Sequence, residues 1–333
     1  MARIDPSALD RRSFLKGAAA GLILLPHADL SKLDFRAARR VTQVALVRTP
    51  SRQDGVRRAM ALLEPTGMAG KRVVLKPNFN SADAAPASTH DDTLRQLVYE
   101  LKERDARSVT LGESSGPRGT VSVLDAKGTR DLARDVGFEV VNFDEMADSD
   151  WAPVNPAGSH WPEGFHLPRM VTDAEYLVST CCLKTHGSGG VYTMSMKLAV
   201  GLTPRPIRRS MHASPDMRRM IAELNQGYRP DLIVMDGVEA FTDGGPSRGT
   251  LKQANVFVAG TDRVAVDAVG VAILKELGSN DAIMGKPIFE QEQIARAVEV
   301  GLGVRSPTEI ALVSDDDAGQ AYALRIGEIL AQG

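Results

Sequence analysis

The sequence predicts an α/β fold, a mostly parallel sheet flanked by helices, with a small hairpin insertion. Three observations predict it. Short β-branched or apolar runs alternate with helical stretches along most of the chain. Several of these runs end in a polar or glycine-rich motif, where an open parallel sheet places its ligand. The 333 residues are 43% hydrophobic and 25% charged, which suits a sizeable core and excludes a disordered chain.

Val41 to Val47 is β-branched and apolar, and a helical stretch follows from about Gln53 to Leu63. Val73 to Leu75 reads as a short buried strand ending at Lys76-Pro77-Asn78. The next helix begins near Ser88 or Thr89 and carries the stripe Leu94, Leu97, Val98 and Leu101. Ser108 to Leu111 is a strand ending at Gly112-Glu113-Ser114-Ser115-Gly116. One helix from about Val121 to Val136 leads to a strand at Glu139 to Asn142.

Residues 143–170 break the pattern with four prolines and both tryptophans. This stretch reads as an insertion, with a hairpin over His160 to Arg169 turning at Glu163-Gly164. Tyr176 to Leu183 is then a strand ending at Lys184-Thr185-His186. Residues near Arg205, Arg208 and Arg209 read as a basic loop. Pro215 opens a helix with the stripe Met217, Met220, Ile221 and Leu224. Leu232 to Met235 is a strand ending at Asp236-Gly237, and Val256 to Ala259 is another. A helix from Asp262 to Leu277, a strand at Ile310 to Val313 and a helix from about Ala318 complete the domain, residues 40–333.

The first 28 residues read as an address. Asp10 to Lys16 is D-R-R-S-F-L-K, followed by an apolar run from Gly17 to Leu25. That run is far short of the roughly 20 residues a bilayer requires, so no stable membrane span is expected. The pair Arg11-Arg12 with Phe14, Leu15 and Lys16 resembles the twin-arginine export motif. It implies the twin-arginine translocase as a partner, folding before export, and a periplasmic or otherwise extracytoplasmic location.

The charge balance, 40 basic against 42 acidic residues, argues against nucleic acid as a partner. Two adjacent cysteines, Cys181 and Cys182, cannot supply the four thiolates of an iron–sulfur cluster. They read as packed thiols, one on each face of a buried strand.

Four strands end in polar motifs, and in a parallel sheet these ends converge on one crevice. Pro, Asn, Gly and Asp populate turns anyway, but Lys76 and Lys184 are not turn formers. Clustered lysines favour a carboxylate or phosphate on the ligand. The candidate catalytic residues are Lys184, His186, Glu113 and Asp236, and the candidate binding residues are Lys76, Asn78, Lys197 and His212. Desolvation suits a lysine to base chemistry. Glu113, Asp236 and Glu239 are the candidate ligands for a divalent metal, and each also reads as an ordinary ion-pair partner.

Gly187-Ser188-Gly189-Gly190 could let backbone N–H groups meet an anion, although it is not a phosphate loop of the G-K-[ST] kind. His160 and His166 fall in the hairpin, His90 in a first helical turn and His27 in the export segment. No H-x-x-x-H metal spacing is present. Asp267 lies in an apolar helix, where a charge is costly unless tied to backbone or to a lysine.

Taken together, L-K-P-N at 75–78, L-K-T-H at 183–186, M-S-M-K at 194–197 followed by Gly201, P-D-L-I-V-M-D-G-V-E-A at 230–240, G-G-P at 244–246 and A-G-T-D-R-V-A-V-D-A-V-G at 259–270 resemble a known family. It is the bacterial and archaeal family named for domain of unknown function 362. The resemblance covers roughly residues 41–280 and implies fold and site but no reaction. Some members add a ferredoxin-like cluster domain, and this chain does not.

The residues point first to an exported enzyme acting on a small anionic substrate by Lys, His and carboxylate acid–base chemistry, with or without a metal. Isomerase, lyase and hydrolase reactions all fit. The alternatives are a non-catalytic periplasmic binding protein, a metalloenzyme-maturation protein and a redox accessory protein.

Overall fold

Among the described residues eleven strands follow in order: β1 Thr42–Arg48, β2 Arg72–Lys76, β3 Ser108–Glu113, β4 Glu139–Asn142, β5 Trp151–Val154, β6 Phe165–Pro168, β7 Tyr176–His186, β8 Val191–Thr193, β9 Leu232–Gly244, β10 Gly249–Gly260 and β11 Ile310–Val313. The structure, a computed structural model, describes residues 41–116 and 118–332. The stretch read from sequence as an export segment, residues 1–28, lies outside the described residues.

The main sheet runs β11-β1-β10-β9-β7-β2-β3-β4, with β8 paired to β7. Along that path only β10 opposes its neighbours β1 and β9, and the other pairings are parallel. The reason is the length of the connections. Residues 245–248 join β9 to β10 as a hairpin, which forces antiparallel pairing, whereas parallel neighbours need a long crossover. The mostly parallel sheet predicted from the alternating pattern is therefore what forms. Every residue of β7 is buried, as expected of a central strand covered on both faces.

Helices Arg52–Leu63, Asp91–Glu103, Thr120–Ala126 and Thr129–Val136 cover one face, burying Val56, Met60, Leu94, Leu97, Leu124 and Leu132. Ser51 caps the first of them, its side chain accepting from the Asp54 N–H. On the opposite face, helix Arg263–Glu276 is sandwiched between the sheet and helices Glu292–Glu299 and Asp317–Ala331. That explains why it is apolar nearly all round. A third cluster, with Trp161, Phe165, Leu167, Ile221 and Leu224, packs helix Met217–Leu224 against the 151–168 hairpin.

Four details differ from the sequence-based expectation. The helix expected over 121–136 is two helices, because Gly128 adopts a left-handed conformation at φ 61°. The hairpin strands are Trp151–Val154 and Phe165–Pro168, and the prolines of 155–164 sit in the connection. His160 is consequently off the strands, with its Nδ1 2.7 Å from Glu223 Oε1. The basic stretch holding His212 is a helix, Arg205–Ala213, not a loop. Strands β7 and β9 run past the expected ends, through His186 and Gly244.

Candidate active site

Beyond the carboxyl ends of β2, β3 and β7 lies a cavity of about 650 Å³. Lys76, Asn78, Glu113, Lys184, His186, Lys197 and His212 all line it. The strands place them: β2 ends in Lys76, β3 in Glu113, and Lys184 and His186 stand at the end of β7, where β8 folds back on it. Gly187 to Gly190 is the turn of that β7–β8 hairpin. Lys197 comes from a short helical segment, Met196–Leu202, and His212 from the exposed face of helix Arg205–Ala213.

Three buried lysines share the cavity and differ in what they touch. Lys76 Nζ lies 2.8 Å from Glu113 Oε1 and donates to Pro77 O at 2.6 Å. The Ser114 and Phe79 N–H groups also donate to that carboxylate, at 2.8 and 3.0 Å. Glu113 therefore neutralises Lys76, and burial still holds the lysine below its ordinary pKa. Gly201 makes room for the pair: a Cβ there would stand 3.0 Å from Lys76 Nζ and 3.1 Å from Glu113 Oε1.

Lys184 is fully buried and donates to the carbonyls of Ala87 and Pro246. Burial pushes it down to about 8. Lys197 is 7% exposed, and among the described residues its amine makes no hydrogen bond or ion pair. Burial, with Lys184 and Arg208 adding like charge, pushes it down to about 7. His186 is pushed down to about 2 by burial and by the nearby Lys197, His212 and Lys184, so it is neutral.

The cavity wall also carries unsatisfied polar atoms. Asn78 Nδ2, Ser115 Oγ, His186 Nδ1 and Thr193 Oγ1 are buried without a hydrogen-bond partner among the described residues, and all four residues line the cavity. Leaving such atoms unpaired costs about 1–3 kcal/mol each, and four of them share this one cavity. Thr193, Ser115 and Arg208 were not candidates from sequence. Arg208 closes one wall, donating to the Ser114 and Ser115 carbonyls at 3.0 Å each. Its position three residues into a Pro-started helix was the available signal.

Asp236 and Glu239 do not join the cavity. β9 continues through Asp236, which pairs with Cys182 of β7 and Phe257 of β10. Gly237, expected as a turn residue, lies within the strand because a Cβ would stand 2.9 Å from Val256 Cγ1. The Asp236 side chain therefore faces the helix layer, accepting from Arg52 Nε at 2.9 Å and Thr93 Oγ1 at 2.7 Å. Glu239 takes the other side of Arg52 at 2.9 Å.

The proposed metal trio is thus dispersed, with Glu113 on Lys76 and the other two on Arg52. Among the described residues no cluster of three or more His, Cys, Asp or Glu side chains could hold a metal ion. Asp267, fully buried, accepts from the Ser195 and Met196 N–H groups at 2.7 and 3.1 Å. It fixes the start of the segment that carries Lys197. Cys181 and Cys182 are both buried and free, and burial pushes the Cys182 thiol up to about 11.

An open, mostly parallel α/β sheet with a lysine-lined cavity at its strand ends is the class of protein that this fold and site define. Residues 73–272 match the family described as Domain of unknown function (DUF362), and the chain belongs to that family. The matched span starts in β2 and contains every cavity residue named above. The chain is 25% identical over 250 residues to the thylakoid-associated protein sll1697 of Synechocystis sp. (strain ATCC 27184 / PCC 6803 / Kazusa), covering 71% of this chain and 75% of that protein. Among solved structures it is similar to the lactate racemase apoprotein of Thermoanaerobacterium thermosaccharolyticum, at 14% identity and a TM-score of 0.45 over 88% of each chain. No helix among the described residues is long and apolar enough to cross a membrane.

Proposed function

We propose that this is an exported enzyme whose cavity binds a small carboxylate or phosphate and moves a proton on it. The observation that carries the reading is Lys197, a buried amine without a partner among the described residues, in a cavity whose other lysines are already satisfied. An anion seated there would complete the charge and raise the proton affinity of Lys197. The unpaired Asn78, Ser115 and Thr193 atoms supply further contacts. A bound anion also lifts the proton affinity of His186 above the low value that burial and the neighbouring cations set, so that it can accept or return a proton. Lys76 and Glu113 act as a neutral pair that shapes the wall, and Lys184 braces the loops that carry Ala87 and Pro246.

The test is calorimetric titration of the purified protein with a panel of small carboxylates and phosphate, in two buffers of different ionisation heat. Binding should be accompanied by proton uptake near pH 7.5. Lys197→Met should weaken it about ten-fold or more, since one charge-assisted contact contributes about 1.5–3 kcal/mol. His186→Gln should keep binding and abolish exchange of the bound ligand's C–H hydrogen with deuterated water, followed by NMR. Binding without exchange in the unaltered protein would favour a non-catalytic binding protein. Unchanged affinity in Lys197→Met would overturn the reading.

A further inference from the structure

We propose that Lys197 is a nucleophile, forming an imine with the carbonyl carbon of a small carbonyl-bearing acid such as a 2-oxo acid. The inference rests on the anion-binding reading above and narrows its substrate class. A lysine can attack a carbonyl only through the lone pair of its neutral amine. Such lysines are made by desolvation and by neighbouring cations. Lys197 has both, being buried in the cavity that Lys184 and Arg208 also line, and the attack draws on the neutral amine that stays in exchange with the protonated one when an anion is bound. Lys76 and Lys184 are poorer nucleophiles because their Nζ atoms already donate, to Glu113 and Pro77 and to Ala87 and Pro246 respectively.

The surroundings suit the reaction. Asp267 holds the Ser195 and Met196 N–H groups, which fixes the backbone that carries the nucleophile. Lys197 Cε and His186 Nδ1 lie 2.9 and 3.0 Å from the one point where a Cβ at Gly190 would stand, so glycine there lets the amine and the imidazole share a wall. Nζ attacks the carbonyl carbon as the C=O π pair moves to oxygen, giving a carbinolamine after proton transfer. Its hydroxyl takes a proton and leaves as water while the nitrogen lone pair forms the C=N bond. The proton passes from nitrogen to the departing oxygen within the carbinolamine, with the unpaired His186 Nδ1 as an acceptor that orients its hydroxyl. No external oxidant or reductant is required. Asn78 Nδ2, Ser115 Oγ and Thr193 Oγ1 are the unpaired groups available to the substrate's carboxylate.

The experiment is reductive trapping of the full chain. Glyoxylate, pyruvate or succinic semialdehyde is added with sodium cyanoborohydride, and intact mass and peptide mapping follow. Trapping adds the mass of the probe less one oxygen. The expected result is a single addition at Lys197, suppressed by excess oxalate and reduced at least ten-fold in Lys197→Met and Lys197→Arg. Melting curves confirm that both variants are folded, and the arginine variant retains the charge. Addition at Lys184 or scattered over exposed lysines, unchanged in the variants, would overturn the inference. So would the absence of trapping with all three probes while oxalate binding persists, which leaves the anion-binding reading standing. The absence of both would overturn the two together.

Discussion

At the level of single residues, the cavity lysines are held in a state that the fold itself disfavours. An unfolded chain protonates Lys184 and Lys197 below about 10.5, whereas burial lowers them to about 8 and about 7 in the folded protein. Between the folded and unfolded values the unfolded chain binds more protons, so stability rises with pH across that window and falls as the pH drops towards 7. One proton of difference is worth about 1.4 kcal/mol per pH unit. Lys197→Met removes one titration and no hydrogen bond. The variant should therefore be more stable than the unaltered protein at pH 7, and the advantage should shrink steadily towards pH 9.5. Urea unfolding at the two pH values measures it, with the other titrating groups cancelling in the comparison. A variant less stable at pH 7, with no convergence at high pH, would mean that the amine is held by a partner.

At the level of elements, two buried aspartates do different structural work. Asp236 joins β9 to helices Arg52–Leu63 and Asp91–Glu103 through Arg52 and Thr93. Removing one partner of a buried ion pair costs roughly 3–5 kcal/mol. Asp236→Ala should lower the melting temperature markedly and leave anion affinity per folded molecule unchanged. Asp267→Ala should leave the Ser195 and Met196 N–H groups unpaired, lowering stability by about 1–3 kcal/mol, and should also weaken anion binding by loosening the Lys197 segment. Melting curves beside titrations separate the two, and equal loss of affinity in both variants would place Asp236 in the site after all. These assignments show where the sequence was readable. Lys76, Glu113, Lys184 and His186 could be located at the strand ends because short apolar runs stop there at polar residues, and lysine is not a turn former. Asp236 looked the same because Gly237 reads as a turn, whereas it answers close packing against Val256 at a β10 register shift. That packing depends on a strand distant in sequence and leaves no local trace. The helix Arg205–Ala213 was hidden for a similar reason: of its nine residues only Met211 is buried, so it carries no apolar stripe.

At the level of the whole molecule, the cavity has no local precursor. Its walls come from β2, β3, β7, the segment bearing Lys197, helix Arg205–Ala213 and the β9–β10 connection with Pro246 and Ser247. These meet only when the central sheet is complete, and long-range parallel pairing of this kind is slow to form. The twin-arginine pattern that Arg11-Arg12 resembles implies export of a chain that has already folded. Export should therefore depend both on the signal and on the folded domain. Arg11→Lys together with Arg12→Lys should leave the protein folded in the cytoplasm, because the guanidinium pair is what the translocase would read. Asp236→Ala, with the arginine pair intact, should also be delivered less well, because its core is weakened at the Arg52 tie. Cell fractionation with detection of the full chain measures both, and melting of the retained protein distinguishes the two causes. Undiminished delivery of the double lysine variant would sink the export assignment. Loss of delivery in that variant, with Asp236→Ala delivered normally, would keep the signal and discard the dependence on folded stability.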